Sequence, residues 1–238
     1  MKNKLKNKSP KKQIKRVTEI IRRLKKTYAN AKIALHYSNN WELLIAVILS
    51  AQCTDKKVNE VTALLFKKYL TLDDYVSADS REFEQDIRSA GFYRAKAKNI
   101  LESARIIKEK FSGKLPRIME ELLTLKGVAR KTANVVLGNA YGVVEGIAVD
   151  THVRRLSQRL GLSKHNDPVK IEQDLMAQIP KKEWFTLTYR LIDHGRAICT
   201  AKKPKCDTCP LNDICPSAFK FPHFKNKLPR CKHRGIRW

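Results

Sequence analysis

The sequence predicts an all-α protein, and three observations predict it. Apolar residues recur at three- and four-residue intervals along most of the chain, the spacing that lines one face of a helix. No segment shows the sustained apolar–polar alternation of a half-buried strand, and no repeat of solenoid period is present. Asp167-Pro168 is a capping residue followed by proline, whose fixed φ suits the first helical position.

The elements follow in order. Residues 1–12 lack an apolar period and are expected to form a disordered basic arm. Val17, Ile20, Ile21 and Leu24 share one helix face. Leu43 to Ala51 is the longest apolar stretch, too short to cross a bilayer, and Cys53 at its end reads as a small buried hydrophobe. Val58, Val61 and Leu65 form a further stripe, and Ile100, Ala104, Ile107 and Phe111 another. Pro116 opens a short helix expected over Ile118 to Leu125, and Ala133, Val136, Leu137 and Ala140 line the next. A helix carrying Leu156 and Leu160 comes after Asp150. Beyond Asp167-Pro168, Ile171, Leu175 and Ile179 keep the period, and Trp184, Leu187 and Leu191 continue it to Gly195. After Cys215, phenylalanines scattered among prolines and lysines read as an irregular tail that packs its aromatics back on the body rather than stacking them on bases.

Charge is the loudest feature of the composition. Forty-nine Lys and Arg stand against 23 Asp and Glu, a net +26. Eight bases in residues 1–16 and seven in 216–238, with no acid in either, still leave +11 on the body between. Tails alone can be solubility devices. A body that remains this basic points to a polyanionic partner, since each phosphate neutralised releases counterions. Apolar residues at 42% exclude a disordered chain. With no signal peptide or membrane span, a cytoplasmic, nucleoid-associated location is expected.

Four of the six cysteines, Cys199, Cys206, Cys209 and Cys215, crowd into a C-x6-C-x2-C-x5-C run; Cys53 and Cys231 stand apart. In a chain without an export signal such a run binds metal more often than it forms disulfides. The spacing leaves a tetrahedral zinc and a cubane iron–sulfur cluster equally open.

Lys126-Gly127-Val128-Ala129-Arg130-Lys131 joins two predicted helices. A hairpin of this kind can hold a phosphate on its free backbone N–H groups, an ordinary αα-hairpin having the same look, and Gly127 tolerates the positive φ such a turn needs. Lys131 falls in the first turn of the second helix, where the helix dipole disfavours a cation. It either contacts phosphate or, with a depressed pKa, serves as an amine nucleophile. Asp150, nineteen residues on, suits an N-cap and can face a nearby amine.

The run Leu125-Lys126-Gly127-Val128-Ala129-Arg130-Lys131-Thr132-Ala133-Asn134-Val135-Val136-Leu137, with Ala148-Val149-Asp150-Thr151-His152, resembles the endonuclease III family of helix–hairpin–helix DNA glycosylases. So do Leu43 to Gln52 with Thr54-Asp55, and Gly91-Phe92-Tyr93 with Lys96-Ala97. The likeness covers roughly residues 15 to 216. It implies two helical domains flanking a DNA-binding cleft: a six-helix barrel with the helix–hairpin–helix over 33–144, and an iron–sulfur cluster domain from 13–32 and 145–216, followed by a basic tail over 217–238. Lys131 and Asp150 are then expected on opposite sides of the cleft.

The resemblance also implies the chemistry. The lysine matching Lys131 attacks C1′ of a damaged nucleotide with help from the aspartate matching Asp150; a Schiff base forms, and β-elimination nicks the strand 3′ to the lesion. Oxidised pyrimidines in duplex DNA and abasic sites are the implied substrates, for a monomer without membrane contact. Cys199, Cys206, Cys209 and Cys215, preceded by His194-Gly195-Arg196, are implied to hold one 4Fe–4S cluster. Arg196, Lys202, Lys203 and Lys205 would meet the DNA backbone, as would Lys126, Gly127, Val128, Ala129 and Arg130. Gln52 is implied to bond the orphaned partner base and Phe92 to wedge into the stack; His152 is given no catalytic part. The chain departs from the family's Pro-Gly-Val-Gly turn at Lys126 and Ala129, and the alanine is expected to crowd the turn at negative φ or strain it at positive φ.

Three other readings compete: a monofunctional adenine-mismatch glycosylase, against which Lys131 argues; a non-enzymatic iron–sulfur DNA-binding or redox-sensing protein; and a basic packaging module, which leaves four clustered cysteines unexplained.

Overall fold

A computed structural model describes residues 10–225, and every regular element among them is helical. In chain order the α-helices are α1 (Pro10–Thr27), α2 (Asn40–Leu49), α3 (Asp55–Lys68), α4 (Leu72–Ser77), α5 (Ser80–Asp86) and α6 (Tyr93–Lys110). They continue with α7 (Met119–Leu122), α8 (Arg130–Tyr141), α9 (Thr151–Arg159), α10 (Pro168–Gln178), α11 (Trp184–Ala197) and α12 (Pro222–Lys225). The described residues fall into two compact units, one of residues 32–150 with 180–189, the other of 10–31, 151–179 and 190–225.

The first unit is built on α2. Leu43 through Leu49 are all buried, and a helix apolar on every side belongs inside rather than on a surface. Asn39 starts it, its side chain accepting from Glu42 N–H at 2.9 Å. Thr54 caps α3, Thr71 and Asp74 close a capping box on α4, and Asp79 caps α5; each satisfies amides that a helix start leaves orphaned. Trp41, Tyr69, Tyr75 and Phe83 pack edge to face or tilted across the core, the geometry ring quadrupoles favour. Residues 180–189, expected in the cluster domain, pack in this unit instead. The bare Cα of Gly138 admits the Phe185 ring, Asn139 donates to Tyr189 Oη at 2.6 Å, and Thr188 donates to Ala148 O at 3.2 Å.

The second unit buries the predicted face of α1, Val17, Ile20, Ile21 and Leu24. Asp167 caps α10 and Pro168 opens it; Ile171, Leu175 and Ile179 are buried. Arg23 on α1 donates to Pro210 O at 2.8 Å, tying that helix to the cysteine loop.

Two further expectations change. The basic arm was expected to reach residue 12, but α1 begins at Pro10; Gln13 bonds Gln178 at 3.0 Å and Arg16 bonds Leu160 O at 2.6 Å, which holds this end of the helix. The rest of the arm, residues 1–9, lies outside the described residues, as do 226–238 with Cys231. The first hairpin helix is only Met119–Leu122, because Thr124 and Leu125 N–H groups reach back three residues, to Glu121 O and Leu122 O, and tighten the end. After Cys215 two of three phenylalanines pack back, Phe224 buried and Phe221 under the Arg159 guanidinium, 4.6 Å from its ring centre, whereas Phe219 stays exposed.

Candidate active site and cysteine cluster

Helix α7, the turn 123–129 and helix α8 form the hairpin. Gly127 adopts φ +74, where an added Cβ would lie 2.8 Å from Asn99 Nδ2. Ser103 Oγ donates to Lys126 O at 3.1 Å, and Val128 is buried, so the turn is fastened from beneath while Lys126, Gly127 and Ala129 stay exposed and Arg130 partly so. Ala129 is the N-cap of α8 at φ −94 and ψ 169. That is ordinary extended backbone, so the alanine introduces no positive-φ strain. It offers no capping oxygen of its own to the N-terminus of α8.

Lys131 is the second residue of α8. Part of its surface is exposed, but its amine is crowded enough that burial lowers its pKa, opposed by the charges of Asp150 and Asp55. Desolvation disfavours the ammonium and releases the amine that nucleophilic attack requires. Asp150 directly precedes α9 and ends a buried run, Ile147, Ala148 and Val149. It falls in the same unit as Lys131, whereas the sequence placed the two in different domains. Asp55, in the first turn of α3, carried only the family resemblance in the sequence and was given no role; the fold brings its charge to act on Lys131.

Gln52 and Phe92 are both exposed and both left-handed, at φ +53 and +49. Gln52 lies in the turn between α2 and α3, and Phe92, 65% exposed, is the N-cap of α6. An exposed phenylalanine held in an unfavourable backbone region is not core packing. Cys53 is half-buried against the core, as its sequence context suggested.

The four clustered cysteines line one cavity with Leu156, Leu160, Ile198, Leu211 and Phe221, and none of the four is in a disulfide. Several donors point at sulfur. Arg159 Nη1 lies 3.3 Å from Cys199 Sγ, Leu211 N–H 3.4 Å from Cys209 Sγ, and His194 Nε2 3.6 Å from the same sulfur. His194 Nδ1 meets Tyr28 Oη at 3.0 Å, and burial lowers the histidine pKa to about 4, leaving the ring neutral. Burial and the neighbouring sulfurs push Cys209 up to about 11; iron ligation must displace that proton. The four sulfurs line one cavity walled largely by apolar side chains, with nitrogens close to two of them, a donor set that fits a cubane cluster. No sequence signal marks Arg159 or Tyr28 for this setting. Arg196, Lys202, Lys203 and Lys205 are exposed.

Residues 45–181 match the family described as HhH-GPD superfamily base excision DNA repair protein, and residues 199–215 match the iron–sulfur binding domain of endonuclease III. Together with the hairpin lysine, these define a helix–hairpin–helix protein of base excision DNA repair. Endonuclease III of Synechocystis sp. is 54% identical over 203 residues, covering 85% of this chain and 93% of its own; that of Bacillus subtilis is 47% identical over 194 residues, covering 81% and 88%. A solved non-covalent endonuclease III–DNA complex superposes with a TM-score of 0.83 at 46% identity, covering 87% of this chain and 97% of the other. A trapped endonuclease III–DNA covalent intermediate superposes at 0.84, with the same identity and coverage. The chain belongs to the endonuclease III family. It is a DNA glycosylase with abasic-site lyase activity in base excision repair, and its cofactor is a 4Fe–4S cluster.

Proposed function

We propose that Lys131 is the nucleophile and Asp150 its proton partner, acting on oxidised pyrimidines and abasic sites in duplex DNA at the nucleoid. The observation that carries this is the lowered pKa of a lysine at the start of the hairpin helix, with the Asp150 charge acting on it. The free amine of Lys131 attacks C1′, and the glycosidic bond breaks with its electron pair leaving on the base, which takes up a proton. The new C–N bond makes the attacking nitrogen cationic; Asp150 accepts its proton, and opening of the sugar gives the imine. Loss of a C2′ proton then expels the 3′ phosphate oxygen and nicks the strand, and water hydrolyses the imine to restore Lys131.

The hairpin from Lys126 to Arg130 holds a phosphate of the same strand through the N-terminus of α8. Gln52 and Phe92 fill the space left by the extruded nucleotide. Cys199, Cys206, Cys209 and Cys215 hold the cluster, which supplies structure to the loop bearing Lys202, Lys203 and Lys205; these and Arg196 meet DNA phosphates.

Borohydride trapping tests the assignment, since it reduces the imine to a stable protein–DNA adduct. Wild type is expected to trap on abasic duplex and Lys131→Gln not to. A trapped adduct in Lys131→Gln at the wild-type yield would refute it. Asp150→Asn is expected to trap far more slowly while binding the same duplex.

A further inference from the structure

Gln52 and Phe92 sit forty residues apart in sequence, on separate turns, both in a backbone region that disfavours side chains. Such conformations persist only when the surroundings over-determine them. One residue touches both turns from beneath. Lys96 is 4% exposed, and its ammonium donates to Leu49 O at 2.8 Å and to Ala90 O at 2.9 Å.

Each carbonyl ends a helix. Leu49 is the last residue of α2; the next amide that could reach its oxygen, Cys53 N–H, turns to Ser50 O at 3.1 Å instead. Ala90 closes the 3-10 turn Arg88–Ala90, two residues before Phe92. Carbonyls at helix ends lack intrahelical donors, and a cation there answers the dipole. Lys96 also stands in the first turn of α6, where its own N–H donates to Phe92 O at 3.1 Å. It therefore holds the Phe92 turn through its backbone and both turns through its side chain. Lys96 is buried beneath the surface, where its charge meets backbone carbonyls rather than solvent. Burial works against its charge, and its pKa is lowered in consequence.

We propose that Lys96 is a positioning residue that locks the Gln52 and Phe92 turns together, so that the pair enters the helix as one preformed insert when the damaged nucleotide leaves. The proposal rests on the hole-filling reading of Gln52 and Phe92. Preorganisation of this kind acts on extrusion and leaves the Lys131 chemistry alone.

Single-turnover rates on two substrates separate the steps. Excision of an oxidised thymine from duplex needs extrusion; cleavage of an abasic site in a single strand does not. Lys96→Met is expected to slow duplex excision about tenfold, while single-strand cleavage stays within about twofold. The fluorescence rise of 2-aminopurine placed opposite the lesion should slow with the duplex rate. Equal loss on both substrates, or none on either, overturns the proposal. In a Phe92→Ala background the Lys96→Met effect should shrink to about twofold or less, as expected for residues acting as a unit; full additivity overturns it. If Phe92→Ala and Gln52→Ala leave duplex excision unchanged, the hole-filling reading fails and the proposal with it. If they slow excision but Lys96→Met does not, only the coupling fails. Should Lys96→Met not fold, amide exchange in the wild-type protein decides: residues 50–54 and 90–94 are expected to open with one common protection factor, and unrelated factors refute the lock.

Discussion

Gly127→Ala is expected to damage the hairpin by an amount that the turn geometry sets. At φ +74 an L-side chain costs about 1–2 kcal/mol. The new methyl would also lie 2.8 Å from Asn99 Nδ2 and 3.1 Å from Asn99 Cβ and Cγ. The amide end can swing aside, but Cβ is fixed to α6, and relieving it costs about 1 kcal/mol more. The total, about 2–3 kcal/mol, must appear in one of two places. If the turn keeps its shape, folding loses it, and Tm falls by roughly 5–10 °C for a domain of this size. If the turn relaxes, Tm is spared and DNA must reform the hairpin, weakening Kd by about 30- to 150-fold. Calorimetry and fluorescence anisotropy on abasic duplex at one fixed salt concentration read both. Asn99→Ala combined with Gly127→Ala should recover the steric part and leave the φ part. A Gly127→Ala protein with wild-type Tm and wild-type Kd would show that neither the positive φ nor the Asn99 contact matters.

Asp55→Asn removes a charge that holds the Lys131 pKa up; the amine becomes free at lower pH, so the rising limb of the single-turnover pH–rate profile should move toward acid, and a shift toward alkali contradicts the electrostatic picture. Gly138→Ala places a methyl 2.5 Å from two carbons of the Phe185 ring; overpacking of this kind costs about 1–3 kcal/mol and should lower Tm by several degrees, which thermal melts followed by circular dichroism would show. Replacing Lys202, Lys203 and Lys205 together with alanine should flatten the log Kd against log salt plot by about 0.9 for each phosphate no longer neutralised, and an unchanged slope removes these lysines from the DNA interface.

The helical class and most helix faces were legible because apolar periodicity is a local property, and burial of α1, α2 and α10 follows it. The first hairpin helix was misjudged because its end is decided by three-residue hydrogen bonds at Thr124 and Leu125, which periodicity does not encode. Residues 180–189 carried the same period as their neighbours, and the unit they join is decided by tertiary contacts, the room Gly138 leaves for Phe185 and the bonds to Asn139 and Ala148 O.

At the site, Lys131 and the four cysteines were legible from position and spacing, yet the state of each depended on what the fold packs around it. A lysine early in a helix reads first as a phosphate contact; burial at α8 lowers its pKa, which supports the proposed nucleophile, and Asp55 enters only through tertiary packing. The cysteine spacing admits zinc or a cubane, and the match of residues 199–215 to the iron–sulfur binding domain of endonuclease III decides for the cluster. Arg159, Leu211 and His194 bring nitrogens close to the sulfurs, which no spacing encodes. Ala129 shows the converse. The sequence made it an irregularity, since a second glycine usually signals positive φ; at φ −94 the position needs no glycine at all. Alanine, like glycine, brings no side-chain oxygen to compete for the amides of α8, so the proposed phosphate contact does not call for a second glycine.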